Sequence, residues 1–251
     1  MRMKLSCNIN FIRIYYLAIM MSLACFGDGV SYDDDCLDGY CEEPLYCPEE
    51  VPQRQWAVAN SSQAQTLAEA VRCSGGVFEV EWDGSIVINE AFVVVNGTVL
   101  NVYGSGPNAA IDGNGITRIF TVVNASLSLS NITLANGNAT SGGAIAAVNS
   151  TLSFRQTTFY GSIASSNGGA LLVSNGSNAS FNGDTTFWNN TAGGNSGALY
   201  VSGGSASTWL GDAMFSNNIA ANGGAIFAIG ESNIYLRGDT VFYGNVVKFR
   251  I

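Results

Sequence analysis

A tetrapeptide corner recurs through the second half of this 251-residue chain. Gly142-Gly143-Ala144-Ile145 returns as Gly168-Gly169-Ala170-Leu171, Ser196-Gly197-Ala198-Leu199 and Gly223-Gly224-Ala225-Ile226, and the second glycines stand 26, 28 and 27 residues apart. Between the corners fall Phe159, Phe187, Phe215 and Phe242, spaced 28, 28 and 27. Two independent marks that keep one period define a repeat architecture. A unit of this length cannot bury its own apolar face, but stacking it on copies of itself can.

The unit is built of strands. Ile145 and Ala147, Leu171 and Val173, Leu199 and Val201, and Ile226 and Ala228 are two residues apart, the spacing of a strand with one face buried. Phe181, Trp209 and Leu236 mark a second strand, with Phe154 one place out of phase. Gly, Asn and Ser fill the turns, where they supply positive φ or bond their own backbone. These signals predict an all-β fold, a right-handed parallel β-helix in which equivalent residues lie above one another about 4.8 Å apart. Phe159, Phe187, Phe215 and Phe242 then make one interior column, extended by Leu134, each ring worth roughly 1.5–3 kcal/mol of burial. Asn190, Asn218 and Asn245, each three residues after a column phenylalanine, are expected to form a side-chain ladder.

The alternation of Gly-Gly-Ala-(Ile/Leu) with Phe-x-x-Asn resembles the repeat of the chlamydial polymorphic outer membrane proteins, which eukaryotic right-handed β-helix proteins of the pectate-lyase-like fold also carry. It stands at Phe187-Trp188-Asn189-Asn190, Phe215-Ser216-Asn217-Asn218 and Phe242-Tyr243-Gly244-Asn245, and covers about residues 111–245. The first unit departs with Ser162 in place of Asn, and the third corner with Ser196 in place of Gly. The resemblance implies a secreted or cell-surface adhesive protein, in the outer membrane if the source is bacterial, and no catalytic site.

The start of the chain is of another kind. Arg2, Lys4 and Arg13 precede a 13-residue apolar run, Ile14 to Phe26. That is too short to span a bilayer, which takes about 20 residues, and it reads as a secretory signal over 1–27. Cleavage after Gly27 leaves an even set of cysteines, Cys36, Cys41, Cys47 and Cys73, whose three possible pairings the sequence leaves open. Residues 28–60 form an acidic, cysteine-containing linker, with nine of the nineteen carboxylates between Asp28 and Glu50. Their spacing lacks the alternation of a calcium loop. From 61 to 251 the chain is assigned to the β-helix, its repeats clearest over 126–245. Ser61 to Arg72 is the one helix candidate, a cap on the stack, with Ala64, Leu67, Ala68 and Val71 on one face and Ser61 or Ser62 as N-cap. The last strand meets no turn or cap signal before Ile251, so the expectation is a piece of a longer protein.

The formal net charge of −9 is concentrated in the first hundred residues. From Leu100 onward five acids face five bases, with no basic stripe for nucleic acid and no polybasic patch for anionic lipid. Membrane contact is expected only through the leader or a missing C-terminal region. With no histidine in the chain, the histidine-dependent polygalacturonase arrangement is excluded. A lyase would instead need carboxylates gathered on one coil face with an arginine. Asp184, Asp212 and Asp239, each three residues before a column phenylalanine, are read as turn residues, with a calcium column as the alternative. Arg237-Gly238-Asp239 spells an integrin-type tripeptide inside that same repeat position.

No catalytic, cofactor-binding or metal residues are assigned. The expected function is structural or adhesive contact with matrix, cell wall or host surface, and the alternative is a carbohydrate-active protein or polysaccharide binder. For the latter, Trp188, Tyr200 and Phe227 would form a stacking platform. Nine glycosylation sequons occur, at Asn60, Asn96, Asn124, Asn131, Asn138, Asn149, Asn175, Asn178 and Asn189, a modest excess for this composition.

Overall fold

The computed structural model describes residues 55–73 and 75–248. The expected leader, most of the acidic linker and Cys36, Cys41 and Cys47 lie outside the described residues. The described part is a parallel β-solenoid of about seven turns with one short helix near its N-terminal end.

Three faces repeat. The largest is a 13-stranded sheet, one row of which runs from Gln55–Val58 through Val77–Trp82, Val99–Gly104, Ser126–Ala135 and Thr151–Tyr160 to Asn178–Phe181, Ala206–Trp209 and Asn233–Leu236. A six-stranded sheet follows the glycine corners, from Phe92–Val95 to Ile226–Ala228, and a five-stranded sheet of two-residue strands, from Asn138–Ala139 to Val246–Val247, closes the later coils. Every ladder is parallel, as a chain wound about one axis requires. The solenoid already begins at Gln55, inside the stretch expected to be linker. Trp56 and Val58 turn inward while Gln55 and Ala57 are exposed, and the strand pairs with Glu79–Trp82.

The expected interior column is present. Leu134, Phe159, Phe187, Phe215 and Phe242 are in register. The rings of Phe159 and Phe187 stack at 4.5 Å and 1°, Phe187 and Phe215 at 4.9 Å and 6°. Phe242 continues the stack at 5.1 Å, but it lies on the last described coil and is 52% exposed. Phe154, read as out of phase, pairs directly with Phe181 and through it with Trp209. The extra residue is absorbed at the following bend. Gln156 turns there with φ 49°, whereas the next coil inserts Gly183, whose Cβ would sit 3.1 Å from the Arg155 side chain. This second column meets the first edge-to-face, at 6.0 Å between Phe181 and Phe187.

The asparagine ladder forms inside the wall. The Asn190 Nδ2 donates to Asn218 Oδ1 (3.0 Å), and the Asn218 Nδ2 to Asn245 Oδ1 (2.9 Å). Ser162, the departure from the motif, is one more rung: its amide donates to Asn190 Oδ1 and its hydroxyl accepts from Gly137. Ser196, the other departure, takes the left-handed φ of 59° in place of glycine and donates to the Ala225 carbonyl. A second ladder, of serines, was not foreseen: the amides of Ser150 and Ser177 donate to the hydroxyls of Ser177 and Ser205.

The helix, α1 (Ser61–Cys73), buries Ala64, Leu67, Ala68 and Val71 as expected, with Ala70. Its cap is Asn60, not Ser61 or Ser62. The Asn60 Oδ1 accepts from the Gln63 amide (3.0 Å), and Gln63 Oε1 in turn accepts from the Ala59 amide (2.8 Å). Such a reciprocal box satisfies two amides at once, which a lone serine does not. Leu67 and Val71 join the same core as the first coils, so α1 closes that end of the stack.

Candidate functional site

Functional chemistry here has to come from the outward side chains, because the interior columns are closed. Three outward features are candidates: a bend carrying aspartates, exposed aromatics, and a shallow groove.

The bend joins the two rows of the large sheet. Asp184, Asp212 and Asp239 occupy equivalent places on it, all exposed, and their carbonyls accept from Thr157, Thr185 and Ala213 of the preceding coil. The Asp212 carboxylate accepts from the Asp239 amide of the next coil at 3.0 Å, a bond between coils and not within its own turn. Arg155 and Arg237 lie on the same bend, both exposed. Among the described residues no three acidic, cysteine or histidine side chains come close enough to hold a metal ion. Arg237-Gly238-Asp239 is the last described copy of this bend. Its glycine is fixed by contact, since a Cβ there would run into the Gly211 carbonyl of the coil before.

The aromatics do not form one platform. Trp188 projects from the large sheet, 46% exposed, beside Tyr160 of the preceding coil, with ring centroids 4.9 Å apart and 37° between planes. Tyr200 and Phe227 stack on each other at 5.9 Å and 3° on the six-stranded face. The expected trio is therefore split between two faces, because Trp188 precedes the asparagine turn while Tyr200 and Phe227 follow the glycine corner. Tyr160, the partner Trp188 actually has, was missed, although it sits in the same place after Phe159 as Trp188 does after Phe187.

The groove was not legible in the sequence. It is an open trough of about 440 Å³, lined by Ser165, Ser166, Gly193, Gly194, Asn222 and Lys248. A half-buried asparagine ladder runs beside it, Asn195 Nδ2 donating to Asn167 Oδ1 (2.9 Å) and the exposed Asn222 Nδ2 to Asn195 Oδ1 (2.9 Å).

Two ionisable residues outside these features are structural. Arg118 is buried at 6% exposure and donates to the carbonyls of Gly142 (3.1 Å) and Ser141 (2.7 Å) and to the Thr121 hydroxyl, bracing the first glycine corner. Tyr103 donates to Glu81 Oε2 at 3.2 Å. Desolvation, followed by the Glu81 charge and this bond, raises its pKa above the ordinary tyrosine value. Among the described residues no helix is long and apolar enough to cross a membrane.

The sequons are sorted by the register. Asn96, Asn124, Asn149 and Asn175 fall on equivalent positions of successive coils, directly after the paired strand ends Val95, Val123, Val148 and Ser174. All four are exposed and left-handed, with φ of 53°, 51°, 47° and 53°. Comparison with known proteins gives no neighbour from which a role can be carried over: no family model, no curated protein and no solved structure matches the chain.

Proposed function

We propose that this chain is a secreted or cell-surface structural protein that acts by adhesive contact, not by catalysis, and that the polymorphic outer membrane protein repeat is the right analogy for it. The observation that carries the reading is the organisation of the outer surface. Side chains stand in columns set by one wall, and the aspartates and arginines that would serve a lyase lie on an exposed bend away from the groove. Exposed bends meet large partners well but do not exclude water from a small substrate, as an enclosed catalytic site does. Cys73 is disulfide-bonded, which supports an oxidising, extracytoplasmic compartment.

The test is a binding assay. The full chain, secreted and immobilised, is presented with extracellular matrix proteins, cell-wall polysaccharides and intact cells. Saturable binding to a surface ligand is expected, and loss of it in a double variant, Tyr160→Ala with Trp188→Ala, would place the contact on the large sheet. An absence of binding to every surface overturns the adhesive reading.

A second reading, a polysaccharide lyase or binder, is favoured by one specific observation: three aligned aspartates share their bend with Arg155 and Arg237. Incubation with polygalacturonate and calcium, followed by the ultraviolet absorbance of unsaturated products, decides it. Activity that disappears in Asp212→Asn would replace the contact function with catalysis.

A further inference from the structure

The four stacked sequons are not equivalent, and the difference lies in what each amide faces. Asn149 Nδ2 donates to Asn124 Oδ1 at 2.7 Å, so the two inner members of the column bind each other. Asn175, at one end of the run, faces no asparagine on the next coil. The equivalent position there is Gly203, and beyond it Gly230, both left-handed, with φ of 64° and 67°. A Cβ on Gly203 would stand 2.8 Å from Asn175 Oδ1, so the Asn175 side chain lies over bare backbone. The neighbouring Gly204 has open space around it, with nothing within 4 Å of a Cβ. The Gly203-Gly204 corner below Asn175 thus carries no side chain, and the next one outward is Glu231, at the place equivalent to Gly204. At the other end, Gly97 beside Asn96 is equally open.

We infer that Asn175 is an N-glycosylation site of the folded protein, with Asn96 as a second, and that the inner pair Asn124 and Asn149 stays unmodified. The inference rests on the secreted reading and on passage through a eukaryotic secretory route. The transfer is balanced: the amide Nδ2 bonds to C1 of the first sugar, loses a proton, and releases the polyprenyl diphosphate that carried the oligosaccharide. No oxidation occurs. Geometry explains the selection. Adjacent rungs are about 4.8 Å apart, less than the width of one sugar ring with its substituents, so neighbouring members of the column cannot both extend a glycan outward. Asn96 and Asn175 are three rungs apart, about 14 Å, and each has an open corner. A glycan on Asn149 would also disturb the amide bond that joins two coils.

The sequence motif alone does not carry this. Left-handed turns favour asparagine or glycine, and the third residue of the Asn175 sequon, Ser177, is a rung of the serine ladder, so Asn-x-Ser arises there from the needs of the coil, whereas at Asn149 the ladder serine is the middle residue, Ser150. Which of the resulting sequons can be used is set by the stacking.

The experiment is site-by-site occupancy on the full chain made in a eukaryotic secretory host. It is made once with its own leader and once with a heterologous one, and digested with a peptide N-glycosidase in heavy-oxygen water before mass spectrometry. Occupancy is read on the fraction, medium or microsomes, that holds the folded chain. Most molecules are expected to carry a glycan at Asn175 and few at Asn124 or Asn149. Asn175→Gly, which keeps the left-handed turn, should remove one glycan's mass without lowering the thermal midpoint, whereas Asn149→Gln should leave the glycan mass unchanged. An unmodified Asn175, or occupancy at Asn149 equal to that at Asn175, overturns the inference. Retention with the chain's own leader alone, with the expected pattern under the heterologous one, counts against the secreted reading and leaves the site assignment standing.

Discussion

Asn218 is the residue whose removal tests most directly what holds the coils in register. It is fully buried. Its Nδ2 donates to the Phe187 carbonyl (2.9 Å) and to Asn245 Oδ1 (2.9 Å), and its Oδ1 accepts from the Asn190 amide (3.1 Å) and from Asn190 Nδ2 (3.0 Å). Asn218→Ala leaves the Asn190 amide and one of the two Asn190 Nδ2 hydrogens buried without an acceptor, the other keeping its bond to the Phe159 carbonyl (3.1 Å). At about 1–3 kcal/mol for each orphaned buried group, the loss is about 2–6 kcal/mol. Asn245→Ala removes a chemically equal rung from the last described coil, where Asn245 is only half-buried and water can take its place. That variant should cost about 1 kcal/mol. Asn218→Ser should fall between them, because Ser162 already serves as a working rung. Chemical denaturation gives the size of each loss, and hydrogen exchange of the Asn190 amide gives its location. If Asn218→Ala costs no more than Asn245→Ala, or if the Asn190 amide keeps its protection, the ladder is a consequence of the winding and not one of its supports.

Phe187→Ala opens a hole between two stacked rings and should cost about 3–5 kcal/mol, whereas Phe242→Ala, half-exposed, should cost no more than about 1.5 kcal/mol; comparison of denaturation midpoints checks the pair. Gly197→Ala places a Cβ 2.4 Å from backbone atoms of both Gly224 and Ile219 and should reach or exceed about 3 kcal/mol. Gly204→Ala meets no neighbour and carries only the cost of a left-handed alanine, about 1–2 kcal/mol by the same assay.

The winding itself was readable because it is written twice, in small corners and in aromatic rungs. Gly143, Gly169 and Gly197 must be glycine, since a Cβ on each would strike the carbonyl of the equivalent corner in the next coil. The asparagine ladder was readable for the same reason of spacing. Ser150, Ser177, Ser205 and Ser232 keep spacings of 27, 28 and 27, and would have disclosed the serine ladder had serine been treated as a marker. What stayed hidden depends on local geometry. Whether Asn60 or Ser61 caps α1 turns on one side-chain torsion and on Gln63 reaching back. That Trp188 and Tyr200 face different ways follows from where the chain bends between them, and composition carries no sign of that. The groove is made by loop backbone and small residues, which have no motif.

The surface candidates fall where the unit length varies. Leu134 and Phe159 are 25 residues apart and Phe159 and Phe187 are 28, yet both pairs stack in register. The surplus of three must therefore leave the wall, and it does so one residue at a time: at the aspartate bend, at the turn between Ser174 and Asn178, and at the loop before the glycine corner. Ala164, Ala192 and Ala220 form a small buried cluster that anchors this loop in three coils. From that alanine to the first residue of the corner is four positions for Ser165–Asn167 and for Gly193–Asn195, but three after Ala220. The longer loops line the groove. Deleting Gly194 would give its coil the loop length that the next coil already tolerates, at the loss of its amide bond to the Ser166 carbonyl and of the two bonds its own carbonyl accepts from the Ala221 and Asn222 amides, about 1 kcal/mol each. The stack should survive the deletion and the trough should shrink. Any ligand held there should then be lost while binding at Tyr160 and Trp188 persists. A large fall in stability instead would mean that these loops support the wall, and that this groove is only a by-product of the stack.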